Sequence, residues 1–322
     1  MGSAFAGRAL SAEAVTPQYL DTARLLVRIA PAIFHDDTFA LKGGTAINLF
    51  VRDMPRLSVD LDLTFRNYHL DRNAAIEQIT GALQSSAARL RSLGFSIHAP
   101  TTREGHESKL FIQQNGISVK VEANYVIRGT VSPVQHVALR PRASDALMAD
   151  LSLPLVSHAD LYGGKLVAAL DRQHPRDLFD VMELLETDGI TPEIRQAFVV
   201  YLASHDRPVH EVLFPALKDI SYEFTHGFLG MTERNVTLDE LESARARMIA
   251  TLHSQLNDNE RDFLLSLVQN KPQWQLLDVT HAQQLPALKW KLQNLAALEQ
   301  ANAAKFAEQH RALSERFKAI NG

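Results

Sequence analysis

Two aspartates stand two residues apart in the stretch Ser-Val-Asp-Leu-Asp-Leu-Thr-Phe, residues 58–65. Apolar and polar residues alternate strictly here, as is typical of a half-buried β-strand. The carboxylates of Asp60 and Asp62 are therefore expected side by side on one face. Such a pair suits a Mg²⁺ ion that bridges triphosphate oxygens, or two ions in an in-line phosphoryl displacement. The pattern indicates metal-dependent nucleotidyl transfer.

A simpler interpretation is that both aspartates are solvated on the outer face of a strand. Aspartate is depleted in strands, however, and two like charges on one face repel each other unless a cation lies between them. The residues before the strand also favour a functional role. With these residues taken into account, a metal site is favoured over two solvated aspartates.

The preceding segment predicts a phosphate-binding turn. Residues 39–42 are short and apolar enough for a strand, and the diglycine that follows allows a sharp turn and close approach to a ligand. Residues 46–52 have the spacing of a short helix, which Thr45 can cap, and its free N–H groups would favour phosphate. A hydroxyl from Thr45 or Ser58 could add a contact to phosphate or metal. The predicted phosphate contacts are Gly43, Gly44, Thr45 and Ser58.

A second charged cluster follows in residues 157–180. Ser157 is predicted to cap a helix that runs to about residue 170, with Asp160 reaching back, and Pro175 suits the first position of the next helix. One alternative is structural, with Arg176 and Asp180 as a pair four residues apart and Asp177 at the helix dipole. In the other, the cations neutralise a triphosphate and an aspartate orients Lys165 or the incoming hydroxyl. The charged candidates are Lys165, Arg172, Arg176, Asp177 and Asp180.

A third carboxylate is a candidate on a later strand. Asn115-Gly116 predicts a hairpin between strands 109–113 and 117–125. In the second strand, Lys120 and Glu122 share the polar face. Glu122 can join Asp60 and Asp62 as a metal ligand, or it can simply be solvated beside Lys120.

The order of elements predicts an α/β (α+β) fold. Helices at 17–34 and 71–93 and a strand at 95–98 complete a mixed-sheet nucleotidyltransferase core, residues 1–155. No strand is predicted after about residue 150. Residues 156–322 are expected to form a helical domain whose first helices, 156–185, contribute to the active-site cleft. Its later helices are predicted at 190–202, 209–217, 238–256, 258–268 and 286–320.

Composition limits the partners. The 322 residues are 46% hydrophobic and 22% charged, they include no cysteine, and no apolar run is long enough to span a membrane. A cytoplasmic protein without membrane association is expected. Because the net charge is −4, any RNA must be held locally. The candidate basic groove comprises Arg103, Lys109, Lys120, Arg128, Arg140 and Arg142.

Residues 43–64 and 164–180 together resemble the AbiEii/AbiGii family of nucleotidyltransferase toxins. The resemblance implies a DNA polymerase beta-like nucleotidyltransferase fold. It also implies a nucleoside triphosphate substrate with Mg²⁺, or alternatively Mn²⁺, and an RNA acceptor, since related members modify tRNA 3′ ends and so stop translation. A cognate antitoxin, in a toxin–antitoxin or phage-defence system, is a further implied partner.

The resemblance also assigns roles to residues. Gly43, Gly44 and Thr45 would hold the triphosphate, and Lys165 the nucleotide. The metal would be held by Asp60 and Asp62, and the acidic part of the cleft would be completed by Asp177 and Asp180. The superfamily's usual Gly-Ser is Gly-Thr here, which keeps the hydroxyl. Transfer to a protein side chain, or a non-catalytic nucleotide- or partner-binding module of the same fold, are the alternatives.

Overall fold

The computed structural model describes residues 17–101 and 108–321. The strands are β1 (Phe39–Lys42), β2 (Asp60–Phe65), β3 (Ser96–His98), β4 (Lys109–Gln114), β5 (Ile117–Ala123), β6 (Gln135–Ala138) and β7 (Ser152–Leu155). The first helices are α1 (Pro17–Ile33), α2 (Gly43–Thr45), which continues as a π-helix (Ala46–Val51), α3 (Arg72–Ser92), α4 (Pro141–Leu147), α5 (His158–Asp171), α6 (Pro175–Glu186) and α7 (Pro192–Ala203). The later helices are α8 (Val209–Leu213), α9 (Ser221–Gly227), α10 (Leu238–Gln255), α11 (Asp258–Val268), α12 (Pro286–Ala301) and α13 (Ala303–Asn321), with 3₁₀ turns at Trp274–Leu276 and Ala282–Gln284.

The strands form one mixed sheet in the order β3-β4-β5-β2-β1-β7-β6. Strand β2 pairs parallel with β5 and antiparallel with β1, while β1 pairs parallel with β7. The predicted α/β class with a mixed sheet is confirmed. Strand β2 lies at the centre of the sheet, so its side chains are held from both sides.

The predicted alternation along β2 is observed, although the strand begins at Asp60 and not at Ser58, and Thr64 on the polar face is buried. Leu61, Leu63 and Phe65 are fully buried, whereas Asp60 and Asp62 on the other face are partly exposed. Helix α1 contacts β5 and α3, and α3 contacts β3 and β4. The aspartates therefore lie on the opposite face of the sheet, the one that faces α5.

The expectation that no strand follows residue 150 is wrong. Strand β7 joins β1 to β6, with Leu155 opposite Leu41 in β1. It has only four residues and contains Pro154, so it carries no recognisable period-two pattern. Strand β6 and helix α4 were not predicted either.

The predicted helix over 286–320 is divided in two at Asn302. The Asn302 side chain accepts a hydrogen bond from the Lys305 backbone N–H, as an N-cap residue does. Asparagine therefore starts a new helix at this point. The helix predicted over 209–217 also ends earlier, at Leu213.

All seven strands lie within the predicted core region, residues 1–155, and α5 begins just after it. The apolar core is continuous from the sheet into the later helices. The division into two domains at residue 155 stays a prediction. None of the helices in residues 17–101 and 108–321 is long and apolar enough to cross a membrane.

Candidate active site

The diglycine turn brings α2 against strand β2. Gly43 has a positive φ of 77°, and a Cβ atom placed on it would lie 2.4 Å from Oδ2 of Asp62. Only glycine avoids both problems. The sharp turn predicted from the sequence therefore also lets the Asp62 carboxylate approach the backbone closely.

The two predicted hydroxyl residues join the start of this helix to strand β2. The Thr45 hydroxyl lies 2.5 Å from the carbonyl oxygen of Asp60 and 3.0 Å from the Ser58 hydroxyl. Thr45 and Ser58 are both buried. Thr45 does not cap the helix, because helical structure already begins at Gly43. Their predicted contact with phosphate stays a prediction.

A row of four charged residues crosses the sheet at Asp62, with two carboxylates between two lysines. Lys42 of β1 is in register with Asp62, Asp62 with Glu122 of β5, and Glu122 with Lys109 of β4. Nζ of Lys109 lies 3.0 Å from Glu122, and Nζ of Lys120 lies 3.1 Å from it. Partial burial acts to raise the pKa of Glu122, but these two lysines lower it. Burial lowers the pKa of Lys42, against the attraction of Asp62 and Glu122.

The other carboxylate of the Asp-x-Asp pair is Asp60. Burial raises its pKa against the attraction of Lys120, and the neighbouring Asp62 adds to the rise. The charge of Arg176 lowers this pKa, which places Arg176 near Asp60. Two close carboxylates of which one resists ionisation form a donor set that a divalent cation would stabilise.

The donors fit a Mg²⁺ ion that takes two protein carboxylates and completes its shell with substrate oxygens, as this ion usually does. In the described ranges, no three acidic or histidine side chains converge on one metal position. Glu122 is instead bonded to Lys109 and Lys120. Its role as a third ligand stays a prediction.

Lys165 of α5 lies in a buried ion-pair network with the next helix. Its Nζ is 2.8 Å from Asp177 and 2.9 Å from Asp180, and Arg172 also bonds to Asp177. Burial acts to lower the pKa of Lys165, but Asp177 and Asp180 raise it. Burial acts to raise the pKa of Asp177, but Lys165 and Arg172 hold it well below its usual range. The aspartates therefore keep the lysine charged and fixed in position.

Sequence reasoning missed Arg56 and Asn48, which complete this network. Arg56 donates from Nε and Nη2 to the two carboxylate oxygens of Asp180, at 2.7 and 2.6 Å. Asn48 donates to Asp180 and to the carbonyl oxygen of Gly44. The signal for Asn48 in the sequence was its polar amide inside the apolar run Ala-Ile-Asn-Leu-Phe-Val. The structural alternative of a pair between Arg176 and Asp180 is not observed: within residues 17–101 and 108–321 the ion-pair partners of Asp180 are Arg56 and Lys165.

Six of the predicted site residues line a cleft of about 430 Å³ between the sheet and α5. The predicted residues that line it are Gly43, Gly44, Asp62, Glu122, Lys165 and Arg172. Thr45, Ser58, Asp177 and Asp180 are buried outside the lining, and Asp60 and Arg176 also lie outside it. The cleft thus combines a glycine turn, carboxylates and fixed cations.

Asp160 is a further cleft residue with an unforeseen role. The predicted N-cap is confirmed, since Ser157 accepts from the Asp160 N–H. The Asp160 carboxylate does more than reach back: it accepts from the backbone N–H groups of Val131 and Ser132 and from the Tyr201 hydroxyl. It therefore fixes the loop after β5 and helix α7 at the cleft wall.

The predicted basic groove is only partly available. Arg128 was wrongly included, because it is 7% exposed and donates to backbone carbonyls. Lys109 and Lys120 are partly exposed but paired with Glu122. Arg103 lies outside the described residues.

A mixed sheet whose central strand carries Asp-x-Asp beside a glycine turn, facing a helix with a fixed lysine, defines the class as nucleotidyltransferase. The sequence model of the family described as "Nucleotidyl transferase AbiEii toxin, Type IV TA system" matches residues 24–294. The chain belongs to this family of type IV toxin–antitoxin nucleotidyltransferases, and the expected resemblance is confirmed.

One solved structure shares the fold. The nucleotidyltransferase toxin MenT4 of Mycobacterium tuberculosis H37Rv superposes with a TM-score of 0.55 at 21% identity, over 86% of this chain and 94% of that one. A chain of the CdnC:HORMA-deltaN complex of E. coli MS115-1 matches at 14% identity over 85% of this chain and 93% of that one, but its TM-score of 0.26 carries no inference. No curated protein matches the sequence.

Proposed function

We propose that the protein transfers a nucleotide from a nucleoside triphosphate to an RNA acceptor, the 3′ end of tRNA, and thereby blocks translation. The observation that carries the proposal is the position of Asp62, which lies against the Gly43 turn in the cleft that Lys165 also lines. A carboxylate, a glycine turn and a fixed ammonium group thus lie around one volume. Family membership supports the same reaction class.

The triphosphate would lie between the diglycine turn and α5. Arg56, Lys165 and Arg172 supply three positive charges against the two of Asp177 and Asp180, which leaves one positive charge in excess. The Arg172 side chain is 61% exposed, so its guanidinium can hold Asp177 and still face a ligand. Such fixed cations stabilise charge that develops on transferring phosphates without moving during the reaction.

The carboxylates would hold the metal. Asp60 and Asp62 would hold a Mg²⁺ or Mn²⁺ ion, which would supply positive charge at the phosphate oxygens. The acceptor hydroxyl would attack the α-phosphorus, and pyrophosphate would leave as the bond to it breaks. The protein's own part is to hold these two carboxylates close together despite their repulsion. Thr45 secures the backbone of Asp60 for this purpose, and Gly43 leaves room for Asp62.

The partners follow from the same assignment. Arg176 and Lys120 both act on Asp60 electrostatically, and this positive charge beside the carboxylate supports the binding of an acceptor RNA through its phosphates. A cognate antitoxin is proposed from membership in a type IV toxin–antitoxin family. We place the protein in the cytoplasm, where tRNA and nucleoside triphosphates are found, and assign it to toxin–antitoxin function or phage defence.

The test is an incubation of the purified protein with Mg²⁺, total tRNA and each of the four α-labelled nucleoside triphosphates. Asp62→Asn removes the cleft carboxylate, and Asp145→Asn, on the exposed surface of α4, is the matched control. Label on RNA with the wild type and Asp145→Asn but not with Asp62→Asn supports the proposal. Label on protein would favour protein modification, and triphosphate binding without any label would favour the non-catalytic module.

A further inference from the structure

Helix α5 contains two adjacent glycines, and only the first has a role in packing. A Cβ atom on Gly163 would lie 2.7 Å from the backbone nitrogen of Phe198 in α7, so the close contact of these helices requires glycine. A Cβ atom on Gly164 would meet no atom of residues 17–101 and 108–321 within 4 Å, and Gly164 does not have a positive φ. Glycine inside a helix is less favourable than alanine. The fold therefore gives no reason for Gly164.

Gly164 lines the cleft, which offers a reason. On α5, Leu161 and Ala168 stand three residues before and four residues after it, and these positions share one helix face. Both also line the cleft, and so does Ile127. Val167 adds to this apolar part of the wall, and Gly164 leaves its centre without a side chain. Asp160, four residues before Gly164, also lines the cleft, but its carboxylate is bonded to Val131, Ser132 and Tyr201.

The rest of the lining is mixed: it includes the polar residues Thr64, Asn124, Tyr201 and His205, the carboxylates Asp160 and Asp171, and a charged group at the turn, the sheet and α5. The members of this charged group are Lys42, Asp62, Glu122, Lys165 and Arg172. A nucleoside triphosphate has the same division, with charge on the phosphates and an uncharged, planar base on the nucleoside. The cleft volume of about 430 Å³ is within the range of small-ligand sites.

We propose that Gly164 is a contact residue for the nucleoside of the substrate, with the base lying flat on α5 between Leu161 and Ala168. This inference rests on the proposed function, since it assumes a nucleoside triphosphate in the cleft. Without a Cβ atom, the helix backbone comes within van der Waals distance of the ring. The triphosphate is held separately, by the turn at Gly43 and by Lys165.

Binding measurements without RNA can test the nucleoside and the triphosphate part of the substrate separately. The probes are each of the four nucleoside triphosphates and inorganic tripolyphosphate, titrated with Mg²⁺ into wild type, Gly164→Ala and Gly164→Leu. Gly81 is the matched control, because it is also inside a helix, α3, with no atom within 4 Å of a Cβ position, and it does not line the cleft. Gly81→Ala and Gly81→Leu are therefore titrated in parallel.

Gly164→Leu is expected to weaken nucleoside triphosphate binding by about tenfold or more, as added bulk does in a fitted pocket, and to leave tripolyphosphate binding unchanged. Gly164→Ala is expected to melt at a higher temperature than the wild type, as is Gly81→Ala, but only Gly164→Ala should weaken triphosphate binding. Both Gly81 variants should bind like the wild type.

Unchanged triphosphate binding in both Gly164 variants would overturn the assignment. A parallel loss of tripolyphosphate binding would also overturn it, because the wall would then not be specific for the nucleoside. If Gly164→Leu does not fold, the comparison of Gly164→Ala with Gly81→Ala decides. A wild type that binds tripolyphosphate but no nucleoside triphosphate would refute the proposed function itself, which is a distinguishable result.

Discussion

Arg56 and Asp180 form a bidentate ion pair with side chains only 3% and 1% exposed, although 124 positions separate them in the sequence. The pair joins the segment before β2 to helix α6. A Cβ atom on Gly44 would lie 2.9 Å from Nη2 of Arg56, so the diglycine turn packs directly against this arginine. The turn thus depends on a charge pair that the cleft does not expose.

Removing one member of this pair should be costly. Asp180→Asn would leave Arg56 and Lys165 with a single carboxylate, Asp177, to neutralise them. A broken buried pair typically costs about 3–5 kcal/mol, because the remaining charge stays desolvated. Denaturant-induced unfolding of the variant should show a loss of that size.

The matched control is an exposed pair, Arg142 with Glu233, whose side chains are 47% and 61% exposed. Arg142→Ala should cost no more than about 1 kcal/mol. If both variants lost equally little, the buried network would not be holding α6 against the turn.

Asp177 should make stability depend on acid pH. Although burial acts to raise it, Lys165 and Arg172 hold the pKa of Asp177 well below its usual range, while in the unfolded chain it is about 3.9. The folded state therefore binds its proton only at lower pH. The stabilisation is fully present above about pH 4–5 and is lost as the pH falls from there toward the folded pKa.

Asp177→Asn removes this proton linkage. The free energy of unfolding, measured from about pH 5 down to about pH 2, should fall less steeply in the variant than in the wild type. Two parallel curves would contradict the assignment of Asp177 as the charged partner of Lys165.

Local patterns explain which parts of the fold were predictable. The alternation from Asp60 to Phe65, the Ser157 cap and Pro175 at the start of α6 are all signals within a few residues, and the structure contains each of them. Strand β7 has no such signal. Its pairing with β1 and β6 defines it, and pairing is a property of the folded sheet.

The charged cluster shows the same limit. Sequence spacing offered Arg176 as one alternative partner of Asp180, because four residues on a helix bring side chains together. The folded chain instead offers Arg56, which no local pattern connects to α6. Residue types predicted that charges gather at this corner, but their pairing depends on how α6 packs against the segment before β2.

Glu122 and Asp62 should differ in their importance for catalysis. Glu122 is bonded to Lys109 and Lys120, whereas Asp62 lies at the glycine turn. Glu122→Gln should therefore reduce the rate of nucleotide transfer by much less than Asp62→Asn. The measurement is kcat for each variant at saturating triphosphate and Mg²⁺, with circular dichroism to verify folding. Equal losses would instead make Glu122 a third metal ligand.

A comparison of two glycines separates the effect of the close contact between Gly43 and Asp62 from the effect of a positive φ. Gly43 and Gly116 have nearly the same φ, 77° and 78°, but a Cβ atom on Gly116 would meet nothing within 4 Å. Alanine at either position should incur backbone strain of about 1–2 kcal/mol. Only Gly43→Ala also pushes a methyl group into the Asp62 carboxylate. Unfolding free energies and triphosphate binding in the presence of Mg²⁺ should then show a similar strain in both variants, with loss of binding in Gly43→Ala alone. Binding retained in Gly43→Ala would mean that the turn can shift without displacing Asp62, and that its closeness to the carboxylate is not needed by the site.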